Sequence, residues 1–166
     1  MTTADKDVSV EVRSAQADDI DGIHSLLRQT LQLHHSLRPD LFHPDGAKYD
    51  KGDLARILED FDRPVFAAVA PHSGKVLGYA FTRLVQDSGN RAMNPLWTLY
   101  LDDLCVDKAA RGRHLGQALF RHVREYAASI GCYNLTLNVW EGNEQALGFY
   151  RALGLKPQKT TMEMLL

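Results

Sequence analysis

The segment from Trp97 to Val139 most constrains the fold, because it reads as a strand, a basic glycine-bearing loop, a helix and a second strand. The helix carries apolar residues at three- and four-residue spacing from Leu115 to Ile130, and Gly131 follows it. Two strands joined by such a helix pair in parallel through a right-handed crossover. The chain is therefore predicted to form an α/β sheet in which one parallel strand leads directly into the glycine loop.

The remaining segments add strands and helices to this unit. Apolar residues alternate in some of them and recur at helical spacing in others. The predicted order is β-α-α-β-β-β-α-β-α-β, with strands over 8–13, 65–70, 76–85, 97–106, 133–139 and about 160–165, helices over 20–34, 51–61, 115–130 and 143–153, and a long loop over 35–50. This order predicts an α/β fold with a mixed sheet. At 166 residues the chain is predicted to be one domain, 1–166.

Composition excludes several classes of protein. The formal net charge is -2, so bulk electrostatics gives no reason to expect a nucleic-acid or membrane partner. The chain has no apolar run of membrane-spanning length and no apolar signal segment at its start. Its two cysteines, Cys105 and Cys132, lie in apolar segments and favour reduced core residues. These features predict a soluble, cytoplasmic protein.

The glycine loop is suited to binding an anion. The stretch from Arg111 to Gln117 combines basic residues, two glycines and the start of a helix, whose free N–H groups and dipole attract phosphate. It matches neither the P-loop pattern nor the dinucleotide-binding G-x-G-x-x-G pattern. The alternative is a solvated turn between a strand and a helix. Two acids, Asp102 and Asp103, precede the loop and are candidate proton acceptors.

The loop and the helix near the C-terminus together resemble the GNAT superfamily of N-acetyltransferases. That family carries an R/Q-x-x-G-x-G/A pattern between its fourth strand and third helix, and Arg111 to Gly116 is similar to it. The segments 143–146 and 149–155 resemble the family's fourth helix. One position departs from the pattern, because His114 stands where the first motif glycine is expected.

The resemblance implies a GNAT-like fold, with a mixed sheet of six to seven strands and about four helices, and acetyl-CoA as cosubstrate. It implies a bulged fourth strand that separates from the fifth and exposes backbone groups to the pantetheine arm. One of those N–H groups would polarise the thioester carbonyl. The implied acetyl-CoA site consists of Leu104, Cys105, Val106, Arg111, Gly112, Arg113, His114, Leu115, Gly116, Gln117, Asn143 and Tyr150.

Three residues are candidates for catalysis. Asp102 is preferred over Asp103 as general base, because an acid occupies that position in polyamine-type members of the family. On strict alternation the two side chains face opposite sides of the sheet, unless a bulge intervenes. The alternative is that these acids pair with nearby basic residues.

Tyr150 matches the family tyrosine assigned as the acid that protonates the leaving thiolate, and its alternative role is an ordinary core aromatic. Asn143 is also a candidate helix N-cap.

The segment that contains several histidines, from His34 to Asp45, is interpreted as a loop beside the binding site of the amine that would accept the acetyl group. The run from Leu33 to Phe42 resembles the loop between the first two helices of many GNAT proteins, which implies that it shapes the acceptor pocket. The alternative is a surface loop packed by its own apolar residues. A metal site is not expected, because the spacing of the histidines is not that of a zinc site, and no cysteine lies near them.

The resemblance therefore predicts an enzyme that moves acetyl from acetyl-CoA to a primary amine by direct attack. The acceptor is predicted to be a small molecule such as a polyamine or an amino-acid derivative. Two alternatives remain open: acetylation of a protein N-terminus or lysine, and a non-catalytic module that binds acyl-CoA. Homodimers are common in the family, so a homodimer is the expected assembly.

Overall fold

A single mixed sheet of five strands forms the centre of the part of the chain that the computed structural model describes, residues 10–166. The strands are β1 Glu11–Ser14, β2 Val65–Val69, β3 Val76–Gln86, β4 Trp97–Val106 and β5 Asn134–Leu137. The helices are α1 Ile20–Leu37, α2 Lys51–Leu58, α3 Leu115–Ser129 and α4 Glu144–Ala152. Two short 3-10 helices, Ala17–Asp19 and Lys108–Ala110, precede α1 and α3.

The strands lie in the sheet in chain order. The pairs from β1 to β4 are antiparallel, and β4 and β5 are parallel. The parallel strands β4 and β5 are connected through α3, as predicted from the strand–loop–helix–strand order in the sequence. The prediction of an α/β fold with a mixed sheet is therefore confirmed.

The predicted strand over 160–165 is wrong, and with it the prediction of six to seven strands. In the described residues, the segment from Leu155 onward is neither helix nor strand. Met162 and Met164 in this segment remain more than four-fifths exposed. Apolar alternation alone does not form a strand unless a neighbouring strand supplies the hydrogen bonds. This segment instead contacts the body through Glu163, which accepts hydrogen bonds from Arg38 at 2.9 and 3.2 Å.

Several boundaries also differ from the sequence prediction, among them the end of α2, which is Leu58 rather than residue 61. The helix α1 continues through His35 to Leu37, beyond the predicted end at His34. It ends at Leu37 because the residue before Pro39 is disfavoured in helical conformation. At the N-terminus, part of the strand predicted over 8–13 lies outside the described residues, and β1 begins at Glu11.

The sheet separates two apolar cores. On one face, α1 and α2 pack against β3 and β4 through a cluster that includes Ile23, Leu54 and Tyr79. On the other, α3 packs through Leu119 and Val123, and part of α4 joins that cluster. Within residues 10–166, no helix is both long and apolar enough to cross a membrane. The two cores fix the sheet between the helices.

Candidate functional site

A cleft opens where β4 and β5 separate. The two strands pair only between Thr98–Leu101 and Asn134–Leu137, although β4 continues to Val106. The last residues of β4 therefore have no strand partner on that side among the described residues. The cleft has a volume of about 780 Å³ and is lined by α1, the loop after it, the end of β4, the start of α3 and the start of α4. The predicted separation of the fourth and fifth strands is present in the structure.

A β-bulge in β4 places both acids on the same face of the sheet. Phe81 of β3 pairs with Asp103, but the next residue, Thr82, pairs with Leu101, so Asp102 has no opposite residue. Leu101 and Leu104 both pack in the α3 core, although strict alternation would place them on opposite faces. The expectation that at most one acid faces the cleft therefore does not hold, because Asp102 and Asp103 both line it.

Asp102 is held by two cations. Its Oδ2 accepts from Lys48 Nζ at 2.5 Å, and its Oδ1 lies 3.8 Å from a guanidinium nitrogen of Arg83. The Asp102 side chain is 14% exposed, whereas those of Lys48 and Arg83 are about half exposed. Burial lowers the pKa of Lys48, but the hydrogen bond and charge of Asp102 outweigh burial and raise it. Asp102 therefore stabilises the charged form of Lys48.

Asp103 has a different environment. Its Oδ2 accepts from the Tyr79 hydroxyl at 2.6 Å, and Tyr79 is completely buried. The Tyr79 hydroxyl also lies 2.8 Å from the Thr30 hydroxyl on α1. Because the phenol proton is donated to Asp103, Thr30 must donate to the phenol oxygen. Burial raises the pKa of Asp103 to about 6, while the bond from Tyr79 and the charge of Lys48 oppose that rise. Asp103 is thus a carboxylate that gains and loses a proton near neutral pH.

Tyr150 lies on α4 and contributes to the same cleft. Its ring packs against Phe149 and Phe120, with centroid distances of 5.1 and 6.1 Å. Burial raises the pKa of the Tyr150 hydroxyl well above its ordinary value, and the charge of Asp103 adds to the effect. The phenol therefore keeps its proton at neutral pH. The site combines a candidate proton acceptor and a candidate proton donor.

The glycine loop enters α3 through two left-handed residues. Gly112 has φ +78° and His114, the N-cap of α3, has φ +58°. The first N–H to bond back within this helix is that of Ala118, to the His114 carbonyl. The N–H groups of the first turn, at Leu115, Gly116 and Gln117, have no acceptor within the helix. These N–H groups lie at the cleft, where a helix start is suited to an anion.

His114 adopts a left-handed backbone conformation, with φ +58°, at the position where the family pattern has glycine. Histidine adopts a positive φ more readily than most residues, which explains why this departure is compatible with the loop. We expect His114→Gly to retain the melting temperature within a few degrees, and His114→Val to lower it by several degrees, since a β-branched residue is strained there. Thermal unfolding followed by circular dichroism measures both. Equal melting temperatures for the two variants would contradict the assignment of strain to this position.

The cleft contains all but one of the predicted site residues. The lining residues are Asp102, Asp103, Leu104, Cys105, Val106, Arg111, Gly112, His114, Leu115, Gly116, Gln117, Asn143 and Tyr150. Arg113 is exposed and does not line it. The side chain of Cys105 faces the α1 core, where its thiol lies 3.9 Å from the Leu26 carbonyl. Cys105 therefore offers its backbone to the cleft.

Two local features lie at the starts of α3 and α4, beside the cleft. Asn143 caps α4, accepting from the Ala146 N–H at 3.1 Å, which confirms its predicted capping role. A Cβ added at Gly116 would lie 3.2 Å from the Phe149 ring. The absence of a side chain at Gly116 therefore allows α3 and α4 to approach each other beside the cleft.

Aromatic side chains border the other end of the cleft. Phe42 packs edge-on against Trp140 at 5.4 Å between ring centroids, and His34 lies 5.0 Å from Phe42. The Arg38 guanidinium lies 5.9 Å above Trp140. Burial lowers the pKa of His34, and the charge of Lys48 contributes. The loop after α1 thus contributes to the cleft, although it also packs through its own apolar residues.

Sequence reasoning missed Lys48, Tyr79 and Thr30. Lys48 lies in a loop with no motif, and Tyr79 and Thr30 read as ordinary residues of a strand and a helix. No local signal distinguishes them, because Lys48 and Tyr79 lie 54 and 24 positions from the acids that they contact, and Thr30 lies 49 positions from Tyr79. Across residues 10–166, no group of three or more His, Cys, Asp or Glu side chains is arranged to hold a metal ion.

Residues 29–155 match a family model described as the acetyltransferase (GNAT) family. Among curated relatives, glucosamine 6-phosphate N-acetyltransferase of Trypanosoma brucei brucei is 31% identical over 99 residues, covering 55% of this chain and 58% of that protein. Thialysine N-epsilon-acetyltransferase of Bos taurus is 38% identical over 56 residues, and the match spans only 33% of its length. Peptidyl-lysine N-acetyltransferase YjaB of Salmonella typhimurium is 23% identical over 149 residues, covering 89% of this chain and 83% of that one.

Solved structures give the same fold. A mutant of the BH1408 protein from Bacillus halodurans superposes with a TM-score of 0.88 at 28% identity, covering 94% of this chain and 99% of that one. Aminoglycoside N-acetyltransferase AAC(6')-Iy in complex with CoA superposes with a TM-score of 0.70 at 16% identity, covering 95% of each chain. At that identity the second match supports the fold alone.

Proposed function

The chain belongs to the acetyltransferase (GNAT) family, and we propose on this premise that it is an N-acetyltransferase that moves acetyl from acetyl-CoA to a primary amine. One observation carries the proposal: a single cleft holds the free N–H groups at the start of α3, the two acids of β4 and Tyr150. The acceptor attacks directly, and no residue of the chain is acylated on the way.

The residues at the α3 end of the cleft fit acetyl-CoA. Its pyrophosphate needs N–H donors and positive charge, which the first turn of α3 and the Arg111 side chain supply. Its amide-rich arm needs backbone groups, and the unpaired side of β4 at Leu104 and Val106 offers them. Acetyl-CoA supplies an acetyl group activated as a thioester. The cleft binds it, orients it toward the acids and limits the access of water.

Asp103 is the better general base. A free alkylamine has a pKa of about 10.4, so at pH 7 only a few in ten thousand molecules are neutral. A base whose pKa lies somewhat below the working pH is ionised and can still accept a proton usefully. Asp103, with a pKa raised to about 6, meets that condition. Asp102 is already engaged by Lys48 and Arg83, so we assign it an electrostatic role.

Tyr79 lowers the pKa of Asp103, so replacing Tyr79 should shift the pH dependence of the reaction in a definite direction. The hydrogen bond from Tyr79 lowers the pKa of Asp103, so Tyr79→Phe should raise that pKa further. Because the ionised base is the active form, the acidic limb of the kcat/KM profile should move to higher pH. A pH series of thiol release measures it. A limb that stays in place while the melting temperature falls would limit Tyr79 to a structural role.

Tyr150 donates a proton to the leaving sulfur. Its raised pKa keeps the phenol protonated while Asp103 is ionised, so the two groups hold complementary protonation states near pH 7. The backbone of β4 around Leu104 is positioned to polarise the thioester carbonyl with an N–H group.

The acceptor is proposed to be a small-molecule amine. Phe42 and Trp140 line the acceptor end of the cleft, and the Arg38 guanidinium, which pairs with Glu163, lies over Trp140. Relatives are named for acetylation of glucosamine 6-phosphate, thialysine and peptidyl lysine. Acetylation of a protein N-terminus or lysine is the second candidate. A homodimer is proposed from the family resemblance, and a cytoplasmic location from the two unpaired cysteines. Sedimentation measures the assembly.

Two measurements test the function. Acetyl-CoA, CoA and ATP are compared for their effect on the melting temperature, since a ligand that binds the folded state raises it. Thiol release is then followed with polyamines, amino-acid derivatives, an amino-sugar phosphate and a lysine peptide. We expect stabilisation by acetyl-CoA and release with at least one amine. Stabilisation without release for any amine would favour a non-catalytic acyl-CoA-binding module.

A further inference from the structure

Lys48 places a primary amine of the protein inside the cleft. Of the lysines between residues 10 and 166, Lys48 alone lines the cleft. It belongs to the irregular segment between α1 and α2, and its side chain is 47% exposed. Its Nζ hydrogen-bonds Asp102 at 2.5 Å and acts electrostatically on Asp103. An alkylammonium on a flexible stem thus lies beside both acids.

We infer that Lys48 is a self-acetylation site, modified within the same molecule when acetyl-CoA is bound and no acceptor amine competes. The inference rests on the proposed function, since it uses the same donor and the same base. Lys48 has the chemical features required of an acceptor, namely a primary amine, a nearby carboxylate base and access to the cleft that holds Tyr150. Attachment to the chain gives this amine a high effective concentration.

The step is balanced in atoms and electrons. Asp103 takes one proton from the Lys48 ammonium, and the freed lone pair on Nζ forms a C–N bond to the acetyl carbon. The C–S bond breaks with its electron pair on sulfur, which receives a proton from the Tyr150 hydroxyl. The nitrogen, now bonded to the acetyl carbon, loses its second proton to solvent to give the neutral amide. Tyr150 regains a proton from solvent and Asp103 releases its proton to solvent, so one proton is released overall. The products are acetylated Lys48 and free CoA thiol, with no oxidant or metal required.

The ion pair makes the reaction slow but does not prevent it. Asp102 favours the ammonium form of Lys48, so the neutral amine is rarer than in a free alkylamine. An amide, once formed, does not revert under these conditions, so even a slow step accumulates product. An acceptor amine in excess would consume the acetyl donor first. Self-acetylation is therefore expected when acceptor is scarce.

The modification would change the acceptor end of the cleft. Acetylation removes the positive charge of Lys48, which leaves Asp102 with Arg83 alone at 3.8 Å. The charge of Lys48 opposes the rise in the pKa of Asp103, so its loss raises that pKa above its present value of about 6. The acidic limb of amine turnover should then move to higher pH in the modified protein.

Lys51 provides a matched control. It is also a lysine paired with an aspartate, at 2.7 Å from Asp21, but it is 60% exposed and outside the cleft. The full chain is incubated with acetyl-CoA and no amine, and peptide mass spectrometry follows both lysines. We expect Lys48 to gain one acetyl group at least about tenfold faster than Lys51, since a positioned base accelerates proton removal. Its first-order rate constant should not change on dilution of the protein.

Variants separate enzymatic from spontaneous modification. Asp103→Asn should reduce acetylation of Lys48 to the rate of Lys51 without changing Lys51, and Lys48→Arg should leave no modified residue in the cleft. Equal rates at the two lysines, insensitivity to Asp103→Asn, or a rate proportional to protein concentration would each overturn the inference. Thiol release with the amine panel is measured in parallel. If an amine causes thiol release but Lys48 stays unmodified, only the self-acetylation inference is overturned. If no amine causes thiol release, the result counts against the proposed function itself.

Discussion

Replacing Asp103 by asparagine should lower kcat/KM by about a hundredfold or more, the range typical for loss of a general base. Asparagine has nearly the same shape and can still accept the hydrogen bond from Tyr79, so the fold should persist. The wild-type profile should rise with pH through about 6, because Asp103 must lose its proton to act. In Asp103→Asn that limb should be absent. Initial rates of thiol release between pH 5 and 9 would measure both effects.

Asp102→Asn is the matched comparison, since the same chemical change is made one residue away. The charge of Asp102 raises the pKa of Asp103, so removing it should move the acidic limb to lower pH without abolishing it. The loss of rate should be smaller than for Asp103→Asn. If instead Asp102→Asn removes the limb and Asp103→Asn keeps it, Asp102 is the base, as the sequence interpretation preferred.

Replacing Tyr150 by phenylalanine should lower kcat by about ten- to a hundredfold while the dissociation constant for acetyl-CoA stays within a factor of about three. The ring still packs against Phe149 and Phe120, so only the hydroxyl is lost. The reason is that the sulfur must then leave as an unprotonated thiolate. Steady-state kinetics and equilibrium binding of acetyl-CoA separate the two quantities.

Tyr126→Phe controls for the loss of a hydroxyl elsewhere in the protein. Tyr126 lies on α3, packs against Phe66 at 5.2 Å and does not line the cleft. Its variant should keep the wild-type kcat. An unchanged kcat for Tyr150→Phe, or an equal loss in both variants, would remove Tyr150 from the proton-transfer step.

The sequence prediction was most accurate where the evidence was local. The N-cap role of Asn143 follows from residue type and position, and the structure contains the cap. The element order around the glycine loop follows from periodicity and from the glycine that ends α3. The same local reasoning failed for the segment 160–165, because strand formation depends on a neighbouring strand elsewhere in the chain.

The candidate acids show why local reasoning has a limit. Their identity was evident from the sequence, but alternation predicted opposite faces for Asp102 and Asp103. The bulge that brings both to one face depends on the register between β3 and β4, which is set by packing on both sides of the sheet. A shift of one residue in that register would move each side chain of β4 to the opposite face of the sheet.

The sequence by itself determined the α/β fold class, the parallel strand pair and the position of the glycine loop and helix start from Arg111 to Gln117, because periodicity, glycines and helix starts act over a few residues. Only the tertiary structure decided how the two acids differ. Lys48 forms an ion pair with Asp102. Burial raises the pKa of Asp103 to about 6, although the hydrogen bond from Tyr79 opposes that rise. Those partners come from distant parts of the chain, and a carboxylate's pKa depends on what surrounds it in space.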